Sequence, residues 1–370
     1  MPLRSLAVTL IALAAVQACG GRRDVATDPP ATDASGSVAA SPVVQGIVER
    51  DSLPGLAVAV LARGKFVMDG ARGWADLENR RPVERTTQFR IGSISKLLTI
   101  AAAARLVDRG RLDLDAPIGR YLPDLPAPIA RITSRQLAGH LGGIRHYGAG
   151  EYTNRRRFDR VEASLAHFLD DVPVTEPGAR YLYSSYGFNL LGAVLQAASG
   201  REFRDLIADE VLTPLGLRQT EPEVSATGPR QARLYQRDSA GTRAADSLDV
   251  TDRWPSGGYL STARDLARFA AGVIDRGYLS DSMRAQLFTS QRTVDGRETG
   301  VGLAWRIGTD SLGRRFVHHG GTSNGGRAFV LLYPDDGLSV AVLTNSTPAR
   351  FATGEVLALA APYLTPPPGR

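Results

Sequence analysis

The stretch Phe89-Arg90-Ile91-Gly92-Ser93-Ile94-Ser95-Lys96 is where the chain changes character. After it, Leu97, Leu98, Ile100, Ala101, Ala104 and Leu106 recur at helical spacing as far as Gly110. Ser93 can cap that run, so the pattern predicts an apolar helix starting there. Residues three apart share a helix face, which lets the Ser93 hydroxyl and the Lys96 amine meet. The pair is a nucleophile beside a base, on condition that the amine gives up its proton. A free lysine titrates at about 10.4, and lowering it by about three units takes roughly 4 kcal/mol of differential interaction. Burial on the core face of the helix, near the positive end of its dipole, is expected to supply this.

Ser-x-x-Lys is common, but lysine is scarce here. Of 44 Lys and Arg residues only Lys65 and Lys96 are lysine. An ammonium can be desolvated into a neutral base whereas a guanidinium cannot, so Lys96 stands out. Lys65 sits in the turn Arg63-Gly64-Lys65 and needs no special reason. The 44 basic residues face 38 acidic ones, a near balance from which no nucleic-acid partner is expected. The cluster Asn154-Arg155-Arg156-Arg157 reads as a solvated face. With 43% apolar residues, the 370-residue chain can bury a real core, which excludes disorder over its whole length. The length suits two domains or one large domain with two lobes.

Arg4 and the apolar run from Leu6 to Ala18, too short to span a bilayer, read as a secretory signal. The run ends in Val16-Gln17-Ala18-Cys19, which resembles a bacterial lipobox whose cysteine becomes the lipidated first residue. Cys19 is the one cysteine in the sequence. The expected organisation is a signal over 1–19, a flexible tether over 20–43 rich in small residues, and a folded unit over 44–365. The chain is then exported and lipid-anchored in a bacterial cell envelope, on the periplasmic side or at the outer membrane.

Leu56 to Leu61 and Lys65 to Met68 read as a β-hairpin, and Arg327 to Tyr333 and Leu338 to Asn345 as a second one. Candidate helices fall near 135–140, 162–170, 185–199, 202–212, 263–275 and 281–288, and a last one runs around 354–363. Strands at both ends with helices between them imply an α/β (α+β) fold. Its antiparallel sheet is built from the N- and C-terminal segments and flanked by helices, and a mostly helical lobe is inserted over about 92–290. A cleft should lie between the two.

Two further segments carry chemistry. Tyr183, in Tyr181-Leu182-Tyr183-Ser184-Ser185, sits just before a helix and suits a proton-sharing partner for Lys96. His318-His319-Gly320-Gly321-Thr322-Ser323-Asn324-Gly325-Gly326 leaves backbone amides open, so an edge strand there could pair with a peptide-like substrate and donate to an oxyanion. Gly321-Thr322-Ser323-Asn324-Gly325 also matches the G-x-S-x-G elbow, but no histidine follows His319 to complete that order. Five histidines without a metal-binding spacing give no zinc site.

Together, Ser93-Ile94-Ser95-Lys96, Tyr183-Ser184-Ser185 and His319-Gly320-Gly321 resemble the three motifs of the serine β-lactamase and penicillin-binding-protein superfamily, in its class C-like version. Pro54-Gly55, Leu215-Gly216-Leu217 and Gly257-Gly258-Tyr259-Leu260-Ser261-Thr262 agree. His140-Leu141-Gly142-Gly143-Ile144-Arg145-His146-Tyr147 is similar to the mitochondrial β-lactamase-like serine proteases and their bacterial relatives. The resemblance implies a β-lactamase/transpeptidase-like fold and no metal or organic cofactor. It makes Ser93 the acylated nucleophile, Lys96 and Tyr183 the acid/base pair, and the Ser93 and Thr322 amides the oxyanion hole. It puts His319 where a third-motif lysine binds substrate carboxylate, with Gly321 and Ser185 also against substrate; His318, one residue away, is the alternative, and counting back from Pro334 favours His319. Ser185 replaces the usual Asn and His319 is mostly neutral at pH 7, which counts against efficient antibiotic hydrolysis. The expected activity is a peptidase or amidase on short peptides. An esterase, a true β-lactamase and a silent envelope binding protein are the alternatives.

Overall fold

The computed structural model describes residues 32–33 and 37–365, apart from 154, 226 and 348. The first hairpin is β1 (Gly55–Ala62) and β2 (Lys65–Asp76), and β2 runs well past the predicted end. After a long insertion come β3 (Arg306–Thr309), β4 (Arg315–Ser323), β5 (Gly326–Tyr333) and β6 (Leu338–Thr344). These strands form one antiparallel sheet in the order β2-β1-β6-β5-β4-β3, with a short strand Thr32–Asp33 beyond β2. The sequence termini thus build the sheet together, as expected.

Every residue of β1 and β6 is buried, because both faces of the sheet are covered. Ala57, Ala59, Leu61, Ala341 and Leu343 point to the face that packs on the inserted lobe. Leu56, Val58, Val60, Val340 and Val342 point to the opposite face, under α1 (Pro42–Asp51) and the C-terminal helix Thr353–Ala360. The alternation follows the two-residue period of a strand and fixes the register. The lobe contains α2 (Ser95–Asp108), α3 (Ser185–Ser199), the short α4 (Trp254–Gly257) and α5 (Ala263–Gly272). It also carries two small three-stranded sheets that helical periodicity does not show.

The tether expected to extend to residue 43 ends earlier. Ser37–Ala40 is a helical turn, and α1 starts at Pro42 with Ser41 as its cap, accepting from the Val44 N–H. Val38, Val44 and Ile47 are buried against the sheet, and that apolar burial offsets the small-residue composition. The signal segment, Cys19 and most of the tether lie outside the described residues. Among the described residues no helix is long and apolar enough to cross a membrane.

Ser93 does not cap α2. It lies in a 3-10 turn, Gly92–Ile94, that feeds the helix, and no side chain caps that helix start. Gly92 has φ +50°, and a Cβ on it would stand 2.6 Å from the Thr322 carbonyl oxygen. A Cβ on Gly321 would stand 1.9 Å from the Ile91 carbonyl oxygen. Glycine at both positions therefore lets the Ser93 turn press directly on β4.

Candidate active site

Lys96 is fully buried in the first turn of α2, with its amine directed to the end of the helix. Nζ donates to Ser185 Oγ at 3.1 Å and to the Ser256 carbonyl at 2.7 Å, and lies 3.3 Å from Ser93 Oγ. A neutral amine has two N–H bonds and one lone pair. The first two contacts use the N–H bonds, which leaves the lone pair for the Ser93 proton. Burial holds the Lys96 pKa well below the usual lysine value, and the Arg253 charge lowers it further. The expected desolvation is the larger cause. Arg253, itself buried and paired with Asp252, is a contributor the sequence reading did not include.

Tyr183 lies on the loop before α3, whose cap is Ser184. Its Oη donates to Ser93 Oγ at 2.8 Å. Burial pushes the phenol pKa up, so it keeps its proton. Tyr183 and Lys96 therefore meet through Ser93 Oγ, and the resting pair is a phenol with an amine rather than a tyrosinate with an ammonium. Two histidines hold this loop. His140 Nδ1 accepts from the Ser184 N–H and His146 Nδ1 from the Ser185 N–H, both at 3.2 Å. His140 also stacks on Tyr183, with ring centroids 4.4 Å apart.

Ser323 and Gly326 flank a two-residue turn and form a hydrogen-bonded pair. Alternation along an antiparallel ladder then turns the Thr322 N–H away from β5. Strand β3 covers β4 only over Arg315–His318, so from His319 onward the outer edge of β4 is open beside Ser93. A cleft of about 490 Å³ lies there, lined by Ser93, Tyr183, Ser185, His319, Gly321 and Thr322 among others. The predicted site residues thus converge on one place.

Of the two adjacent histidines, His319 faces the site, with its ring 6.5 Å from that of Tyr183. His318 points to the other face of β4 and stacks on Phe329. His319 is 2% exposed, and Nδ1 lies 2.7 Å from its neighbour's carbonyl, Gly320 O. Burial takes its pKa down to about 3, and the Arg306 charge acts in the same direction. His319 is therefore neutral at pH 7 and supplies no charge for a carboxylate. The cations in the cleft are Arg253, Arg306 and Arg327, which motif spacing does not reveal. Ser185 lines the cleft, and its hydroxyl also accepts a hydrogen bond from Lys96, a contact that motif spacing does not reveal.

A family model described as Beta-lactamase matches residues 41–361. The chain belongs to the beta-lactamase family. It is a serine hydrolase of that family. This beta-lactamase-family chain is 26% identical to the serine beta-lactamase-like protein LACTB, mitochondrial, of Homo sapiens, over 80% of this chain and 72% of that protein. It is 29% identical to penicillin-binding protein 4 of Amycolatopsis lactamdurans, over 85% and 89% of the two chains. The octameric penicillin-binding protein homologue from Pyrococcus abyssi superposes with a TM-score of 0.77, at 24% identity over 89% of this chain and 77% of the other. The fold class expected from the sequence is that of the beta-lactamase family.

The two adjacent histidines of β4, one in this beta-lactamase-family site and one half-buried on the opposite face, set a pH dependence. His319 titrates at about 3 and His318 at about 4 in the folded chain, both lowered first by burial. An unfolded histidine titrates at about 6.5. The unfolded chain then binds more protons between these values, so stability is full above about pH 6.5 and falls as pH drops toward 3. Urea melts of wild type and His319→Gln from pH 7.5 to 3.5 check this. The variant is expected to have the shallower acid slope.

Proposed function

We propose that the protein is a serine peptidase or amidase that cleaves short peptides through a Ser93 acyl-enzyme. The observation that carries this reading is the fully buried amine of Lys96, 3.3 Å from the Ser93 hydroxyl and with its pKa held well below the usual lysine value. The open edge of β4 supports peptides as substrates, because a chain laid along it finds backbone partners.

In this reading Ser93 Oγ adds to the scissile carbonyl as its proton passes to Lys96 Nζ. The Ser93 and Thr322 amides hold the oxyanion. The C–N bond then breaks as Tyr183 Oη gives its proton to the leaving nitrogen, and the proton on Lys96 restores the phenol. Water attacks the acyl carbonyl by the reverse route, giving up a proton to the Tyr183–Lys96 pair. Ser93 leaves with a proton and the acid departs. A carboxylate on the leaving group would meet Arg306, whose charge acts on both Tyr183 and His319.

A second reading, an esterase, is favoured by Ser185. A serine stands there, so no side-chain amide is offered to a substrate amide, and its hydroxyl accepts from Lys96. We also propose, from the lipobox-like Val16-Gln17-Ala18-Cys19, that the chain is exported and held at the cell envelope through lipid on Cys19.

Trypsin cuts after Arg90 and Lys96, which isolates the Ser93 peptide as residues 91–96. The protein is incubated with a D-Ala-D-Ala peptide, a p-nitrophenyl ester and a chromogenic cephalosporin, quenched in acid and digested. The expected result is an acyl mass on Ser93 with the peptide donor. An adduct with the ester alone selects the esterase, and one with the cephalosporin selects a β-lactamase. No adduct from any donor, and no label from a fluorophosphonate, would leave a silent binding protein.

A further inference from the structure

Arg327 lies on β5 directly opposite Thr322, in the wall of the cleft. One guanidinium nitrogen, Nη1, donates to Thr322 Oγ1, while Nε is buried with no hydrogen-bond partner. Among the described residues no carboxylate lies within ion-pair distance of this guanidinium. Its surroundings are unfavourable for a cation. Phe329, Phe351 and Leu248 line the same cleft, and the Arg350 charge acts on it unfavourably, against a favourable contribution from Tyr152. Burial lowers the Arg327 pKa from its usual value, the direction expected of a charge whose desolvation is not repaid. The side chain is half-buried in the cleft wall, with part of its guanidinium facing the cleft and no acid among the described residues to pair with it.

The direction of the substrate across the site follows from Tyr183. The phenol that protonates the leaving group stands at the His319 end of β4, whereas Arg327 stands at the Thr322 end. Three residues of strand separate these ends by about 10 Å. The leaving group therefore lies toward His319 and the acyl group toward Arg327. We infer that the cleft selects acyl donors that carry a carboxylate on the acyl side of the scissile bond, with Arg327 as the specificity-determining cation. A carboxylate at this end would form a charge-assisted pair with the cleft-facing side of the guanidinium and neutralise its charge. This inference rests on the Ser93 acyl-enzyme reading and names the class of acyl group that reading leaves open.

The test compares the phenyl esters of Nα-acetyl-glutamate and Nα-acetyl-glutamine, in both enantiomers, with p-nitrophenyl acetate as a small neutral donor. The two amino-acid esters have nearly the same shape and differ in one charge. For wild type, kcat/KM is expected to be at least about tenfold higher for the glutamyl ester of the accepted hand. The ratio of the two rates is the readout, since partial misfolding lowers both alike. In Arg327→Gln the ratio is expected to fall to about one, and in Arg327→Glu to drop below one. Arg327→Lys should keep part of the preference. A wild-type ratio near one, no turnover of either ester, or a preference that survives Arg327→Gln overturns the inference. Turnover of p-nitrophenyl acetate with Ser93 acylation in that event leaves the serine hydrolase reading standing, whereas no acylation by any donor defeats that reading itself.

Discussion

Exchange of Lys96 for Arg is expected to slow acylation of Ser93 by about 10³–10⁴-fold, although the formal charge of the side chain is kept. A guanidinium does not give up its proton at accessible pH, so it cannot take the one on Ser93 Oγ. Its larger head must also fit a space where Nζ already touches Ser93, Ser185 and the Ser256 carbonyl, close to the Arg253 charge. Pre-steady-state release of p-nitrophenol measures the step, and a melt of the same sample separates lost chemistry from lost fold. The wild-type rate has a matching pH signature. Its reactive form is the neutral amine, so acylation should decline as acid drives a proton onto Lys96, at a pH well below the usual lysine value. A Lys96→Arg rate within tenfold of wild type would show that proton removal at this position is irrelevant.

Gly321→Ala is expected to reduce turnover by about 10²–10³-fold, the range for loss of one oxyanion donor. The new Cβ would stand 1.9 Å from the Ile91 carbonyl oxygen, and both partners are backbone. Neither can rotate out of the way, so the Ser93 turn and β4 must move apart. The Thr322 amide then no longer lies where negative charge develops. Overpacking of this kind also destabilises by about 1–3 kcal/mol, which a urea melt detects. The two effects separate by donor, because uptake of a substrate along the rest of the cleft depends less on this contact than the chemical step does. Unchanged melting with turnover within tenfold of wild type would mean that β4 does not supply the oxyanion donor.

The residues of the site that sequence alone made legible are those set by local geometry. Ser93 and Lys96 are one helical turn apart, and an arginine-dominated chain marks the lysine. Tyr183 precedes a helix with a serine cap, and the alternation of β4 puts His319 rather than His318 toward the cleft. Arg253, Ser256, Arg306 and Arg327 were not legible. Arg253 and Ser256 reach the site from a short helical segment far away in sequence, and Arg306 and Arg327 from the strands on either side of β4, whose registers no motif spacing shows. Ser185 was read as a substrate contact because the partner of its hydroxyl, Lys96, is 89 residues away. The early helix was missed although Ser41-Pro42 carries an N-cap and a first-turn proline, since the small residues around it suggested a loose segment.

The border of the sheet where the polypeptide enters is the one farthest from the chemistry. Thr32–Asp33 pairs with β2, and four more strand steps lead to β4. Five spacings of about 4.8 Å place the entry about 24 Å from the working edge. The strand that receives the leading end and the open edge of β4 thus stand on opposite sides of the sheet, so crowding at one leaves the other free.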